Sequence, residues 1–302
     1  MHWGANNSKM RTKLIFTFTG LVFAITLAAI AYGTPKANRV NIRYVTPKNP
    51  EHQLVYMQMK QRGALEELQT FLSPLLLPRT LHISLAECDG EADAFYDFAS
   101  ITICYELIAE LWENMPEETT PAGIEPIDTV IGPLFEISLH EAAHALFDLL
   151  RLPVFGREED AADQVAAYIL LRLGDTEARR LITGAAHAYR TEELRTGECR
   201  SLEDYAGEHS TPGQRAFNAL CIAYGANRRL FADFVSEGYL PKVRAEFCRE
   251  EYEQVQDAFD TLIQPHIDPE LEKQIQGRAW LCESQGGGAS VKHENCLLAP
   301  PE

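Results

Sequence analysis

Basic residues are scarce in this chain. It has 27 Lys and Arg against 44 Asp and Glu, a formal net charge of −17 over 302 residues. No basic run appears. Phosphate backbones are held by clustered Lys and Arg, so nucleic acid is excluded as a partner. Also missing is any Cys-x-x-Cys spacing among the seven cysteines. That removes a paired-thiolate zinc site and a dithiol redox motif. No internal repeat is present. What remains is an ordinary globular composition, with 46% hydrophobic and 24% charged residues, and enough length to bury a substantial core.

The first 33 residues differ from the rest. Lys9, Arg11 and Lys13 precede an apolar run from Leu14 to about Tyr32. A basic segment followed by an apolar one is a secretory signal, and Ala29-Ile30-Ala31 offers a small-x-small cleavage site. Cleavage is the favoured expectation. The run is long for a signal, so an N-terminal membrane anchor is the alternative. Either way the remainder is expected to be exported, with the positive end held inside. In an oxidising compartment disulfides are the default state of cysteine. Spacing does not determine pairing. The expected bridges are Cys88–Cys104, Cys221–Cys248 and Cys282–Cys296, with Cys199 free.

The expected order is a linker at residues 34–50, a folded domain at 51–267 and a C-terminal tail at 268–302, loose from residue 284. A helix is expected over Leu54–Leu72 from its apolar spacing. Leu81, Ile83 and Leu85 alternate with His82 and Ser84 as in a strand. Ala92–Tyr96 and Ser100–Cys104 add two short strands around a turn at Asp97. These strands predict a small antiparallel sheet. Helices follow at Tyr105–Asn114, around Ile127–Leu150 with Pro133 in the first turn, at Glu158–Leu173, and over most of the chain to residue 267.

Two motifs carry chemistry. Residues 140–144 read His-Glu-Ala-Ala-His, the zinc signature. His140 and His144 leave one helix face a turn apart, so both rings can reach one zinc. Glu141 sits about 100° round the helix, beside the metal, where a carboxylate can act as general base. Catalytic zinc normally takes a third protein ligand. Pro153 and Gly156 break the helix and let the chain reverse. Glu159, in the first turn of the next helix, is the expected third ligand, with Glu158 and Asp160 as competitors. Asp163, four residues on, is placed to accept a hydrogen bond from the far nitrogen of a ligating His.

The His-Glu-Ala-Ala-His motif followed by Glu159-x-x-x-Asp163 resembles the gluzincin metallopeptidases, and the short gap resembles compact minigluzincin domains. More closely, HEAAHALFDLLRLPVFGREEDAADQVAAYIL, CDGEADAFYD, ITICYEL and QRAFNALCIAYG are similar to the bacterial metallopeptidase family catalogued as domain of unknown function 4344. The resemblance covers roughly residues 50–265. It implies an exported, zincin-like domain with Zn2+ as cofactor and leaves the substrate open.

A gluzincin also needs a donor for the developing oxyanion. His209 is the first choice, with Tyr224 and Tyr105 behind it. Glu106 is expected to be a solvated or capping carboxylate, and His187 to be structural. The overall expectation is an α+β, mostly helical metallopeptidase domain acting on a peptide or protein. The rival readings are a non-catalytic zinc-binding structural or interaction protein, and a cell-wall amidase using the same site. Oligomeric state is not legible.

Overall fold

The structure is a computed structural model that describes residues 39–196 and 200–276. The signal or anchor segment, Cys199 and the Cys282–Cys296 pairing lie outside the described residues. Among those described, no helix is long and apolar enough to cross a membrane.

The strands are β1 (Val40–Tyr44), β2 (Leu81–Ala86), β3 (Ala94–Asp97) and β4 (Ser100–Cys104). They form one sheet in the order β1-β2-β4-β3. The sheet is mixed, not antiparallel as expected. β1 runs parallel to β2, and β2 parallel to β4, while only β3 runs antiparallel, to β4. The reason lies in the connections. The Asp97 turn makes a tight hairpin of β3 and β4, with Phe98 and Ala99 both at positive φ as a two-residue hairpin loop favours. The hairpin then inserts through β4, and β3 becomes an edge strand. β1 falls in the stretch expected to be linker. Its Val40 is buried, so burial and pairing outweigh the polar, Pro-rich composition around it.

The first helices are α1 (Gln53–Gln61), α2 (Ala64–Phe71) and α3 (Tyr105–Glu113). The single helix expected over Leu54–Leu72 is two, because Gly63 sits at φ +67, in the left-handed region. The next are α4 (Asp128–Leu150), α5 (Glu158–Leu171), α6 (Asp175–Thr196) and α7 (Leu202–Ala206). The last are α8 (Pro212–Ala226), α9 (Ala232–Ser236), α10 (Lys242–Ala245), α11 (Cys248–Leu262) and α12 (Pro269–Ile275). Helices dominate, with the small sheet at one side. That is the α+β, mostly helical class expected.

α4 is the central element. It is apolar on nearly all faces and buried along most of its length, packed by α3, α5, α6 and the β3–β4 hairpin. Its start corrects one expectation. The helix begins at Asp128, so Pro133 lies inside it, beyond the first turn. Asp128 is bound there by Arg180 of α6, at 3.0 Å from Nε and 2.7 Å from Nη2. The two helices touch backbone to backbone. A Cβ on Gly132 would stand 2.7 Å from Gly184 Cα and from Ala185 N, so only glycine fits.

Among the described residues there are two disulfides. Cys88–Cys104 ties the loop after β2 to the end of β4, and Cys221–Cys248 ties α8 to α11. Both are bridges the sequence led us to expect, and they suit an oxidising environment.

Candidate metal centre

His140 and His144 project from α4 toward the start of α5. α4 ends at Arg151 in the left-handed conformation, and Gly156, at φ +99, completes the reversal. α5 therefore comes back along α4 with Glu158, Glu159 and Asp160 in its first turn, where the helix dipole favours acidic side chains.

The two imidazoles are held in the same way. His140 Nδ1 lies 2.7 Å from Asp163 Oδ1, and His144 Nδ1 lies 2.8 Å from Glu158 Oε1. Both rings thus turn Nε2 toward one point. The Nε2 atoms are 3.1 Å apart, and they stand 3.0 Å and 3.2 Å from Glu159 Oε2. His209 Nε2 reaches the same oxygen at 2.8 Å, with its ring stacked 5.6 Å from that of His140. Tetrahedral zinc bonds of about 2.0–2.1 Å require ligand atoms about 3.3 Å apart. The observed spacings fall within a few tenths of an ångström of that. The donor set of imidazole nitrogens and a carboxylate oxygen is also one that zinc accepts.

The electrostatics favour a cation here. Burial opposes charge on His140, yet its bonds to Asp163 and Glu159 outweigh this and push its pKa up to about 10. The His140 bond pulls Glu159 down to about 2. Asp163 also falls to about 2, as His140 and Arg215 overcome the cost of burial. Glu141 behaves oppositely. It is buried beside the cluster, makes no bond to the ring nitrogens, and burial raises it to about 7.

Two cavities flank the cluster. One of about 600 Å³ is walled by Glu136, His140, Glu141, His209 and Arg215. Another of about 740 Å³ is walled by β3, His144, Glu158, Glu159 and His209. Asp93, Glu141, Glu208 and His209 border both, so they form the waist of one cleft. β3 is tied along α4 by Tyr96, whose hydroxyl donates to Asp148 at 2.6 Å.

The loop that carries His209 is clipped to α5. Arg157 donates to the carbonyls of Gly207, at 2.6 Å, and Glu208, and Ser210 Oγ donates to Asp160 Oδ1 at 2.6 Å. This accounts for both competitors considered as third ligand. Asp160 holds the loop, and Glu158 holds the back of His144. Tyr105 is not at the site. It is wholly buried and donates to Val45 O at 2.7 Å. Tyr224 lines neither cavity of the cleft and lies under Arg228. The Glu106 carboxylate caps the turn after β2, accepting from Cys88 N and Gly90 N. His187 is half-buried in the wall of the first cavity.

Sequence reasoning missed Arg215, Tyr189 and Glu136, which pack behind His140. Glu136 could have been found: with His140 and His144 it makes an i, i+4, i+8 stripe on α4. Arg215 and Tyr189 have no local signal, since their roles depend on how α6 and α8 pack against α5.

The chain matches the profile of the family described as "Putative metallopeptidase", domain of unknown function 4344, over residues 44–263. It belongs to that family. No curated protein and no solved structure matches it.

Proposed function

We propose that this member of the metallopeptidase family is a zinc-dependent endopeptidase, with His140, His144 and Glu159 as ligands and Glu141 as general base. The observation that carries the reading is the convergence of two Nε2 atoms on Glu159 Oε2, beside a buried carboxyl that takes no part in the cluster. Glu141 has no use in a purely structural metal site. When bound, zinc supplies a Lewis acid that polarises a carbonyl and lets water lose its proton near neutral pH.

The chain's own groups do the rest. Glu141 takes the proton of the attacking water and returns it to the departing amine. Asp163 and Glu158 keep both imidazoles in the tautomer that presents Nε2. His209, held by Arg157 and Ser210, donates to the carbonyl oxygen as charge develops on it. β3 is an edge strand beside the cleft, so its free backbone groups suit pairing with an extended peptide. A cleft that continues on both sides of Glu141 has room for residues before and after the scissile bond. This is why internal cleavage is preferred over trimming of ends. The two disulfides support an exported working environment.

One observation favours a second reading. At 2.8 Å from Glu159, His209 is near enough to serve as a fourth ligand, and a closed zinc would be structural. His209→Ala separates the two. The peptidase reading expects stoichiometric zinc and hydrolysis slowed by about 10²–10³-fold. Loss of zinc would place His209 among the ligands. The general test is metal analysis with a peptide-library cleavage screen, with and without chelator. Chelator-sensitive internal cleavage is expected; bound zinc with no cleavage would favour the binding role.

A further inference from the structure

Behind His140 lies a buried side-chain network of which the proposed reaction uses only Asp163. Arg215 of α8 grips Asp163 with a two-pronged fork, from Nε to Oδ2 at 2.8 Å and from Nη2 to Oδ1 at 2.6 Å. Oδ1 is also the oxygen that bonds His140 Nδ1. The guanidinium lies 4.4 Å over the Tyr189 ring of α6. The Tyr189 hydroxyl donates to Glu136 Oε2 at 2.6 Å. Glu136 stands one turn before His140 on α4, so the circuit closes on the helix where it began. α4, α5, α6 and α8 each contribute.

We propose that Arg215 is a positioning residue for the metal centre: its fork fixes the Asp163 carboxylate so that His140 points Nε2 at the ligand cluster. This rests on the reading that His140 is a metal ligand. An aspartate bonded only to one imidazole can still turn about its terminal torsion. A bidentate guanidinium fixes the carboxylate plane, and with it the plane of the ring.

The fork also settles which carboxyl serves His140. Ligating atoms of Glu136, His140 and Asp163 all lie within 4.8 Å of one another. Arg215 compensates the buried charge on Asp163, while Tyr189 occupies Glu136. Removing the guanidinium leaves two adjacent buried carboxyls and an uncompensated charge, and burying such a charge is costly.

The test is zinc titration of the metal-free full chain, with the unfolding midpoint of each metal-free protein measured alongside. Arg215→Met keeps much of the side-chain volume and is expected to weaken the zinc Kd by roughly 10–100-fold, the usual effect of losing a group that holds a ligand. Arg215→Lys keeps a charge but cannot form the fork, and is expected to weaken Kd by about tenfold. Joining Asp163→Asn with Arg215→Met is expected to add less than about threefold to the loss from Asp163→Asn alone, because both act through one contact.

A lower unfolding midpoint with zinc Kd within about twofold of wild type would overturn the proposal, leaving Arg215 merely structural. Additive losses in the double variant would overturn it too. If Arg215→Met does not fold, Arg215→Lys decides: wild-type zinc affinity there overturns the fork. A wild-type chain that takes up no zinc would overturn the metallopeptidase reading, and this inference with it.

Discussion

The two histidines of the motif share a helix and a spacing but not a setting. His140 is the deep half of the site. Its Nδ1 bond goes to Asp163, which is buried and gripped by Arg215. His144 is the rim half. Its Nδ1 bond goes to Glu158, whose side chain is 55% exposed. His209, also at the rim, sits on a loop held by Arg157 and Ser210. Four packed helices fix the deep half. The rim half depends on one helix start and one loop. The difference teaches that two histidines of one regular motif can be backed unequally, one by packed helices and one by an exposed carboxylate, while both border the cleft.

The largest expected effect falls at the junction of the halves. Glu141→Gln should lower kcat by about 10²–10⁴-fold while stoichiometric zinc is retained. Metal analysis beside kinetics checks this, and metal loss would mean that Glu141 belongs to the holding apparatus. The halves themselves are separated by Asp163→Asn against Glu158→Gln. Zinc Kd should weaken about 10–100-fold in the first and by no more than about threefold in the second, since an exposed partner contributes little. Equal losses would erase the distinction.

Smaller effects follow. Ser210→Ala should slow kcat several-fold and leave zinc Kd unchanged, because it loosens the loop and spares the ligands. A shift in Kd would put His209 among them. In stability the contrast runs the same way. Gly184→Ala, at the α4–α6 crossing, should lower the unfolding free energy by about 1–3 kcal/mol. Phe155→Ala, almost fully exposed near the rim, should stay within about 0.5 kcal/mol. Urea unfolding of both variants measures the contrast.

The ligand motif and its nearest carboxylates were legible in the sequence, and the wall of side chains behind His140 was not. His140, Glu141, His144, Glu159 and Asp163 lie within 24 residues, and their placement follows from helix period and one chain reversal. Arg215 is 52 residues beyond Asp163, and no periodicity announces a contact across that distance. The same contrast holds for the fold. Alternation gave β2 and β4 to within a residue, because one face of each is buried. Strand direction escaped, since it depends on which partner a hairpin joins. β1 escaped too, as its polar neighbours hide a short strand whose partner lies some 40 residues away.

The Cys221–Cys248 bridge has a consequence beyond the face it staples. It sits on α8, less than two turns beyond Arg215. Closing a loop of 27 residues narrows the unfolded ensemble by about 3–4 kcal/mol, and that bias favours docked α8. The oxidation state of the chain thus bears on how firmly the wall behind His140 is held. Without the bridge, α8 and the Arg215 it carries lose that bias toward the docked position.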